Sequence, residues 1–284
     1  MVESIFQQST LRCNLSIIRN ELIKNIKTLL AYPVIIIFWA IFPVFWFIPF
    51  VLQGEAFVGG LESASFAQIT GTSQFVPFIV IGAVLNSYVN TLLYGIGENI
   101  RKESYQGTLD YVLVAPCNQV YVLIGKAISE SLSSTIFAIS QLSISVIIFG
   151  MKITFEVMLP VFFTIILLIL GLYGMALILA AFSLMYKQSY DLSETIGYIF
   201  YIFAPVRYPT ESLPNWAQVL GKIIPLTYAL IIVRSLILIG NDLSQIYSEV
   251  VLFLVIDFIL LGTGFYLFNW MEKKTRKSGT ISHH

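Results

Sequence analysis

The sequence has few charged residues and few cysteines, and each shortage excludes a class of protein. Only 11% of its 284 residues are Asp, Glu, Lys or Arg, whereas 57% are hydrophobic. A soluble domain carries about 25% charged residues, so this composition indicates a protein of the lipid bilayer. The two cysteines, Cys13 and Cys117, are too few for a disulfide framework or a thiolate metal site.

The sequence also lacks the short motifs of nucleotide binding and catalysis. A phosphate-binding loop has the form G-x-x-x-x-G-K-[ST]. Gly125-Lys126 and Gly221-Lys222 have no glycine five residues before their own glycine. No cluster of His, Cys and carboxylate residues predicts a metal site, and no spacing of nucleophile and base predicts an enzyme. We therefore expect no catalytic residue, no cofactor bound by this chain and no nucleic-acid partner.

Long apolar runs dominate what is present. A helix needs about 20 apolar residues to cross the roughly 30 Å hydrocarbon core of a bilayer. Six segments approach that length: 32–52, 74–97, 127–149, 157–185, 191–206 and 246–268. No small-residue cleavage site follows the first run, so we expect a span there and not a signal peptide. These runs predict an all-α membrane protein with a transmembrane domain over residues 31–270.

The distribution of positive charge favours six spans over seven. With six spans both termini lie on one side, which then carries twelve of the sixteen Lys and Arg residues. The positive-inside rule places that side in the cytoplasm. A seventh span through 226–240 would bury Arg234 and remove the asymmetry. We predict a plasma-membrane protein with cytoplasmic termini, a basic cytoplasmic tail over 271–284 and an external segment over 207–240.

The first thirty residues have an apolar face with helical spacing. Residues three or four positions apart line that face: Leu11, Leu15, Ile18, Leu22, Ile26 and Leu29. Four basic residues occupy other positions: Arg12, Arg19, Lys24 and Lys27. This pattern predicts an amphipathic helix over 1–30 that lies along the cytoplasmic surface of the membrane, with its basic residues near anionic headgroups.

The external segment over 207–240 is unusually apolar for a loop. Three prolines, Pro209, Pro214 and Pro225, divide it into pieces that are too short to cross the bilayer. Two short re-entrant helices in the outer leaflet fit this pattern if protein shields their ends, because unpaired backbone groups are costly in lipid. An ordinary outer loop with one interfacial helix is the alternative.

Polar side chains inside the predicted spans are candidates for a translocation path. They are Asn86, Asn90, Gln141 and Asp257. A charge near the middle of a span is costly and usually functional or paired. Asp257 is therefore either a contact or proton site in such a path, or a protonated or hydrogen-bonded acid that packs against a neighbouring span or subunit. The serines of the second and third spans also have two interpretations, since small hydroxyl residues serve close helix packing.

A charged segment over 98–126 separates the second span from the third on the cytoplasmic side. Residues 100–113 can form a short helix. Pro116 should end that helix, because it lacks an amide hydrogen and disfavours helix at the residue before it. Gly125-Lys126 then opens the third span. A polar segment in this place offers a contact for a soluble cytoplasmic protein, although a plain loop has the same composition.

This segment resembles the cytoplasmic loop of ABC-2 type transporter permeases, in which a Gly-Thr-Leu-Glu run is followed by Pro and then by Gly-Lys. The matching residues are Glu103, Gly107, Thr108, Leu109, Asp110, Pro116, Gly125 and Lys126. In the family, Glu-Arg-Glu-x precedes the Gly-Thr-Leu-Glu run. Tyr105 replaces the second Glu, and Gln106 stands where Arg often precedes the glycine. A second stretch is similar to the family's stretch before its last span, although Ile224 replaces the usual Asn. Its residues are Pro225, Leu226, Thr227 and Tyr228, with Arg234 downstream.

The resemblance implies a permease subunit that is driven from outside the bilayer. Two permease copies, a homodimer, would work with two ATP-binding subunits that carry the ATP and Mg. Coupling to those subunits would involve Arg101, Glu103, Gly107, Thr108, Leu109, Asp110, Pro116 and Lys126. The expected activity is the ATP-driven export of a hydrophobic or amphipathic substrate, such as a drug, an antibiotic or a lipid.

Three other functions fit the sequence less well. A sister group of permeases exports lipid-linked polysaccharides, but its loop usually lacks the Gly-Thr-Leu-Asp run. An ion-coupled secondary transporter with Asp257 as its ion site would leave the 98–126 segment without a role. A membrane-embedded enzyme has the least support, because no catalytic pattern is present.

Overall fold

The described part of the chain is built from helices that cross or border a membrane. The computed structural model describes the backbone of residues 2–34, 64–95, 119–150, 154–186 and 189–278, with isolated positions between 38 and 52. The helices are α1 (Val2–Ala31), α2 (Ala64–Thr70), α3 (Phe75–Val89), α4 (Gln119–Phe149), α5 (Phe155–Tyr186), α6 (Ser189–Phe203), α7 (Asn215–Gly221), α8 (Pro225–Arg234) and α9 (Tyr247–Ser278). Turns of π-helix extend α3 through Asn90–Tyr94 and α8 through Ser235–Ile239, and a 3-10 turn, Thr210–Ser212, precedes α7.

Four of the described helices are long and apolar enough to cross a membrane. Their apolar lengths are Phe75–Leu93, Leu123–Ile147, Phe155–Phe182 and Tyr247–Lys274. They correspond to the second, third, fourth and sixth predicted spans. The fifth is present as α6, but only Leu192–Phe203 is apolar, which is shorter than a full span. Because the first predicted span, 32–52, lies largely outside the described residues, the six-span topology remains a prediction.

Two helices continue past the predicted ends of their spans on the predicted cytoplasmic side. The third span was expected to begin at 127, but α4 begins at Gln119. The sixth was expected to end at 268, but α9 runs to Ser278 and so includes much of the basic tail. Hydropathy marks the apolar thickness of the bilayer, whereas a helix that is already nucleated can extend into water at little cost.

Glycines allow α5 and α9 to pack closely along their length. Lipid tails are as apolar as leucine, so membrane helices associate through small residues that let their backbones approach. A Cβ atom added to Gly174 would lie 2.6 Å from the carbonyl carbon of Leu260. One added to Gly264 would lie 2.4 Å from the carbonyl oxygen of Gly174. α5 and α9 form the main helix pair of the described structure, and α8 packs against both helices.

The N-terminal helix α1 packs along the first half of α4. The side-chain nitrogen Nδ2 of Asn25 donates to the carbonyl oxygen of Ser129 over 2.8 Å and to the hydroxyl of Ser133 over 3.2 Å. Gly125 permits the approach, since a Cβ atom there would lie 3.2 Å from Cα of Ile18. The predicted helix is therefore present and fixed to the third span. Its amphipathic placement on the membrane surface remains a prediction.

Candidate functional site

The predicted external segment contains two short helices that meet at a sharp corner. The axes of α7 and α8 differ by 92° across the intervening turn. Pro225 occupies the first turn of α8, where its missing amide hydrogen costs nothing and its fixed φ suits a helix. Ile224 is extended, with φ −88° and ψ 122°, as the residue before a proline prefers. We call α7, the turn and α8 the external corner.

Hydroxyl groups of the second family-like stretch satisfy the carbonyl groups at the end of α7. Thr227 Oγ1 donates to the carbonyl oxygen of Gly221 over 2.8 Å. The Tyr228 hydroxyl donates to that of Lys222 over 2.9 Å. Helix ends leave the last carbonyls without intrahelical donors, and in lipid each unpaired group is costly. The Gly221 carbonyl also accepts the backbone N–H of Ile224 over 3.1 Å. Leu226 is fully buried beside them. The stretch therefore lets the chain turn sharply from α7 into α8 while the carbonyl groups at the end of α7 keep hydrogen-bond donors.

Arg234, at the end of α8, is the centre of a buried polar junction. Its side chain is only 6% exposed. Nε and Nη2 donate to the Phe78 carbonyl oxygen, over 3.2 and 2.9 Å. Nη2 also donates to Val206, and Nη1 donates to the Pro205 carbonyl. The guanidinium carbon lies 3.4 Å from the centre of the Phe78 ring. We call these residues, with Gly82, the arginine junction.

The arginine junction joins three helices at one point. Pro205 and Val206 follow the end of α6, so Arg234 places a cation and hydrogen-bond donors at a helix C-terminus, where both are favourable. Gly82 on α3 admits this segment, because a Cβ atom there would lie 1.9 Å from the Val206 carbonyl oxygen. Arg234 thus connects α3, the end of α6 and α8 through backbone carbonyl groups and the Phe78 ring.

The burial of Arg234 corrects one step of the charge argument. Arg234 was counted as an external charge that a span should not bury. The structure buries it in the external corner, and the carbonyl oxygens of the arginine junction replace its hydration. Its burial therefore cannot discriminate between six spans and seven. The placement of α7 and α8 as re-entrant helices in the outer leaflet is a prediction that their short lengths and capped ends support.

The predicted path residues fall into two places in the fold. Asn86 lies on α3, Asn90 opens the π-helical turn after it and Gln141 lies on α4, which packs against α3. Asp257 lies on α9, whose main partners are α5 and α8. Asn86 is 8% exposed. A translocation path lined by these side chains remains a prediction.

Most hydroxyl groups of α4 bond to the backbone of their own helix. Ser131, for example, donates to the carbonyl oxygen of Ala127 over 2.7 Å, and Thr135 donates to that of Ser131 over 2.8 Å. The same pattern holds at Ser133, Ser140, Ser143 and Ser145. A hydroxyl occupied in this way presents a small surface to its neighbours. This observation favours close packing over substrate contact for the polar face of α4.

The predicted coupling residues lie mostly outside the part of the chain that the structure describes. They are Arg101, Glu103, Gly107, Thr108, Leu109, Asp110 and Pro116. Lys126 is described and lies on α4, next to the Gly125 that contacts α1. Sequence analysis missed this second role of Gly125, because its contact with Ile18 joins residues far apart in the chain. α4 thus follows the predicted coupling segment in the chain and contacts α1 at Gly125.

Comparison with known proteins gives one family. A sequence profile described as ABC-2 type transporter matches residues 6–238, which is more than four fifths of the chain. The match includes both the 98–126 segment and the stretch from Pro225 to Arg234. A search of curated proteins finds no match.

Proposed function

Because the chain belongs to the ABC-2 type transporter family, we propose that it is the permease subunit of an ATP-driven exporter, energised by a separate ATP-binding subunit. The observation that carries the proposal is the family match over residues 6–238, a range that includes both sequence stretches. The capped external corner supports it, because each residue of the second stretch has a physical role there.

We assign the 98–126 segment as the contact with the ATP-binding subunit. It joins the helices of the second and third spans, so a displacement of the segment would tilt both. α4 extends past the start of its apolar length to Gln119. It is fixed to α1 by the contacts of Asn25 on α1 and Gly125 on α4. A rigid connection of this kind transmits motion better than a flexible loop. The contact would use Arg101, Glu103, Gly107, Thr108, Leu109, Asp110, Pro116 and Lys126.

The full transporter in this proposal has two copies of the chain and two ATP-binding subunits that hold the ATP and Mg. The chain lies in the plasma membrane with six spans and cytoplasmic termini, as the positive-inside bias predicts. The substrate class is hydrophobic or amphipathic: a drug, an antibiotic or a lipid. The apolar composition, 57% hydrophobic with 11% charged residues, supports this class over a highly charged solute.

Charge reversal at Asp110 is expected to uncouple the two subunits. The variant Asp110→Lys places the wrong charge in the proposed contact, and disrupting a charge pair of an interface costs about 2–5 kcal/mol. We expect at least a roughly tenfold weaker association with the ATP-binding subunit encoded beside this chain. Stimulation of its ATP hydrolysis should be lost in parallel. Co-purification and ATPase assays in nanodiscs measure both.

The matched control is Asp242→Lys, the same substitution at an exposed position after α8, on the predicted external side. It should leave association and stimulation at the wild-type level. Equal behaviour of the two variants and the wild type would show that the 98–126 segment is not the coupling contact. Failure of the wild-type chain to retain or stimulate any such ATPase would contradict the proposed function itself.

A further inference from the structure

Asp257 is a buried carboxyl group at the meeting point of three helices. It is 4% exposed and lies within the apolar length Tyr247–Lys274 of α9. It fills the space above Gly171 of α5, where an added Cβ atom would lie 2.0 Å from Oδ1 of Asp257 and 3.2 Å from Cβ of Pro225. Asp257 is thus enclosed by α5 and by the first residue of α8. We call this contact the acid junction.

Neither carboxyl oxygen has a hydrogen-bond partner among the described residues. The other charged or titratable side chains of α8 and of the apolar lengths of α5 and α9 are Glu156 and Tyr173 on α5, Tyr228 and Arg234 on α8, and Tyr247, Glu249, Tyr266, Glu272, Lys273 and Lys274 on α9. Lys273 and Lys274 lie at least about 24 Å along α9 from Asp257. The Tyr173 ring packs on Phe265, and the Tyr228 hydroxyl donates to Lys222. Arg234 lies about 13 Å along α8 from Pro225 and is committed to backbone carbonyls. No described group supplies a counter-charge.

A proton is the ligand that this geometry accommodates. An ionised carboxylate without a partner is so costly in an apolar interior that the group takes up a proton instead. Larger cations need several oxygen ligands at defined distances. No set of three or more His, Cys, Asp or Glu side chains is placed to hold a metal ion in the described ranges. Asp257 is also only 4% exposed, and its carboxyl group lies against the backbone of Gly171.

A neutral aspartic acid in this position can release its proton, whereas the isosteric amide of asparagine cannot. We propose that Asp257 is a proton-binding site whose occupancy is linked to the seating of α8 on α5 and α9. This proposal goes beyond the transporter function and does not depend on an ATP-binding partner. In the predicted topology α8 lies on the external side, and the proton is exchanged with the water of that side.

The sign of the linkage follows from the two states. With α8 seated, the carboxyl group is dry and keeps its proton. With α8 displaced, water reaches the group and it ionises like an ordinary aspartic acid. The seated state therefore holds one more proton, so acid favours it and alkali favours the displaced state. Above the ordinary range of aspartate titration, the ratio of displaced to seated protein rises by up to about tenfold per pH unit.

Infrared spectroscopy of the purified chain in nanodiscs tests the protonation directly. At neutral pH the exposed carboxylates are ionised, so a carbonyl band of a protonated carboxylic acid reports a buried acid. We expect this band in the wild type and its absence in Asp257→Asn. The control Asp242→Asn, at an exposed residue, should keep it. The wild-type spectrum is informative even if Asp257→Asn does not fold, because the absence of the band at neutral pH would overturn the proposal.

Hydrogen exchange of the α8 amides tests the linkage. The ratio of wild-type to Asp257→Asn exchange rates at each pH cancels the intrinsic pH dependence of exchange. We expect the ratio to rise with pH by up to about tenfold per unit. Asp242→Asn should behave as the wild type. A band that persists in Asp257→Asn would overturn the site, and a pH-independent ratio would overturn the link to α8.

Discussion

Replacement of Arg234 by alanine is expected to lower the melting temperature of the purified chain by about 10 °C or more, or to prevent its recovery. The change leaves the carbonyl groups of Pro205 and Val206 without the donors they have in the described structure, and it removes the side-chain donors from the Phe78 carbonyl, which lies within helix α3. Each such group costs about 1–3 kcal/mol. For a chain of this size, about 1 kcal/mol corresponds to roughly 2–4 °C. Thermal unfolding in detergent or nanodiscs measures the loss.

Two other variants serve as controls for the Arg234→Ala result. Arg207→Ala removes a half-buried arginine whose guanidinium carbon lies 4.7 Å from the Tyr201 ring. That interaction is worth about 1 kcal/mol and the side chain is only half-buried, so the shift should be clearly smaller than that of Arg234→Ala. Arg234→Lys should fall between the two alanine variants, because an ammonium reaches fewer of the three carbonyls. Equal losses at Arg207 and Arg234 would show that the arginine junction does not hold α3, α6 and α8 together.

Substitution of Gly264 by alanine is expected to force α5 and α9 apart. The added methyl group would lie 2.4 Å from the carbonyl oxygen of Gly174 and 3.2 Å from Cβ of Leu177. Neither helix backbone can yield locally, so the pair must separate along its length. Overpacking of this kind costs about 1–3 kcal/mol or more, which lowers the melting temperature by roughly 5–10 °C. Thermal unfolding again provides the measurement.

The same helix supplies the control. Gly262 lies two residues earlier on α9, and an added Cβ atom meets nothing within 4 Å in the described structure. Alanine is about 1 kcal/mol better than glycine in a helix, so Gly262→Ala should keep or raise the melting temperature. If Gly262→Ala is as damaging as Gly264→Ala, the loss reflects alanine in α9 and not the contact with Gly174.

Local sequence patterns predicted the elements but not their long-range contacts. Apolar length located the helices of the second, third, fourth and sixth spans, and the prolines at 214 and 225 correctly divided the external segment. The fifth predicted span, now α6, was harder to judge from the sequence. Pro205 ends its apolar run, which is shorter than a full span needs. Hydropathy also could not locate Gln119 and Ser278, the ends of α4 and α9 on the predicted cytoplasmic side, because they lie beyond the apolar lengths of these helices.

The partners of individual side chains were not predictable from one sequence. Arg234 was recognised within its stretch, but Phe78, whose carbonyl oxygen and ring both contact it, is 156 residues away and has no local signal of this role. Gly171 and Asp257 likewise have no local signal of their meeting. Such contacts depend on tertiary packing, whereas periodicity reports one element at a time. The coupling residues from Arg101 to Pro116 lie outside the described structure, so their role rests on sequence.

The central claim, that a separate ATPase drives export through this chain, is tested most directly in proteoliposomes. These would contain the chain, its ATP-binding partner and a fluorescent amphipathic substrate, with ATP on the side of the nucleotide-binding subunits. The account predicts outward movement of substrate with the active partner and none with a partner that binds ATP but cannot hydrolyse it. Transport that persists with the inactive partner and stops in Asp257→Asn would contradict it and favour an ion-coupled transporter.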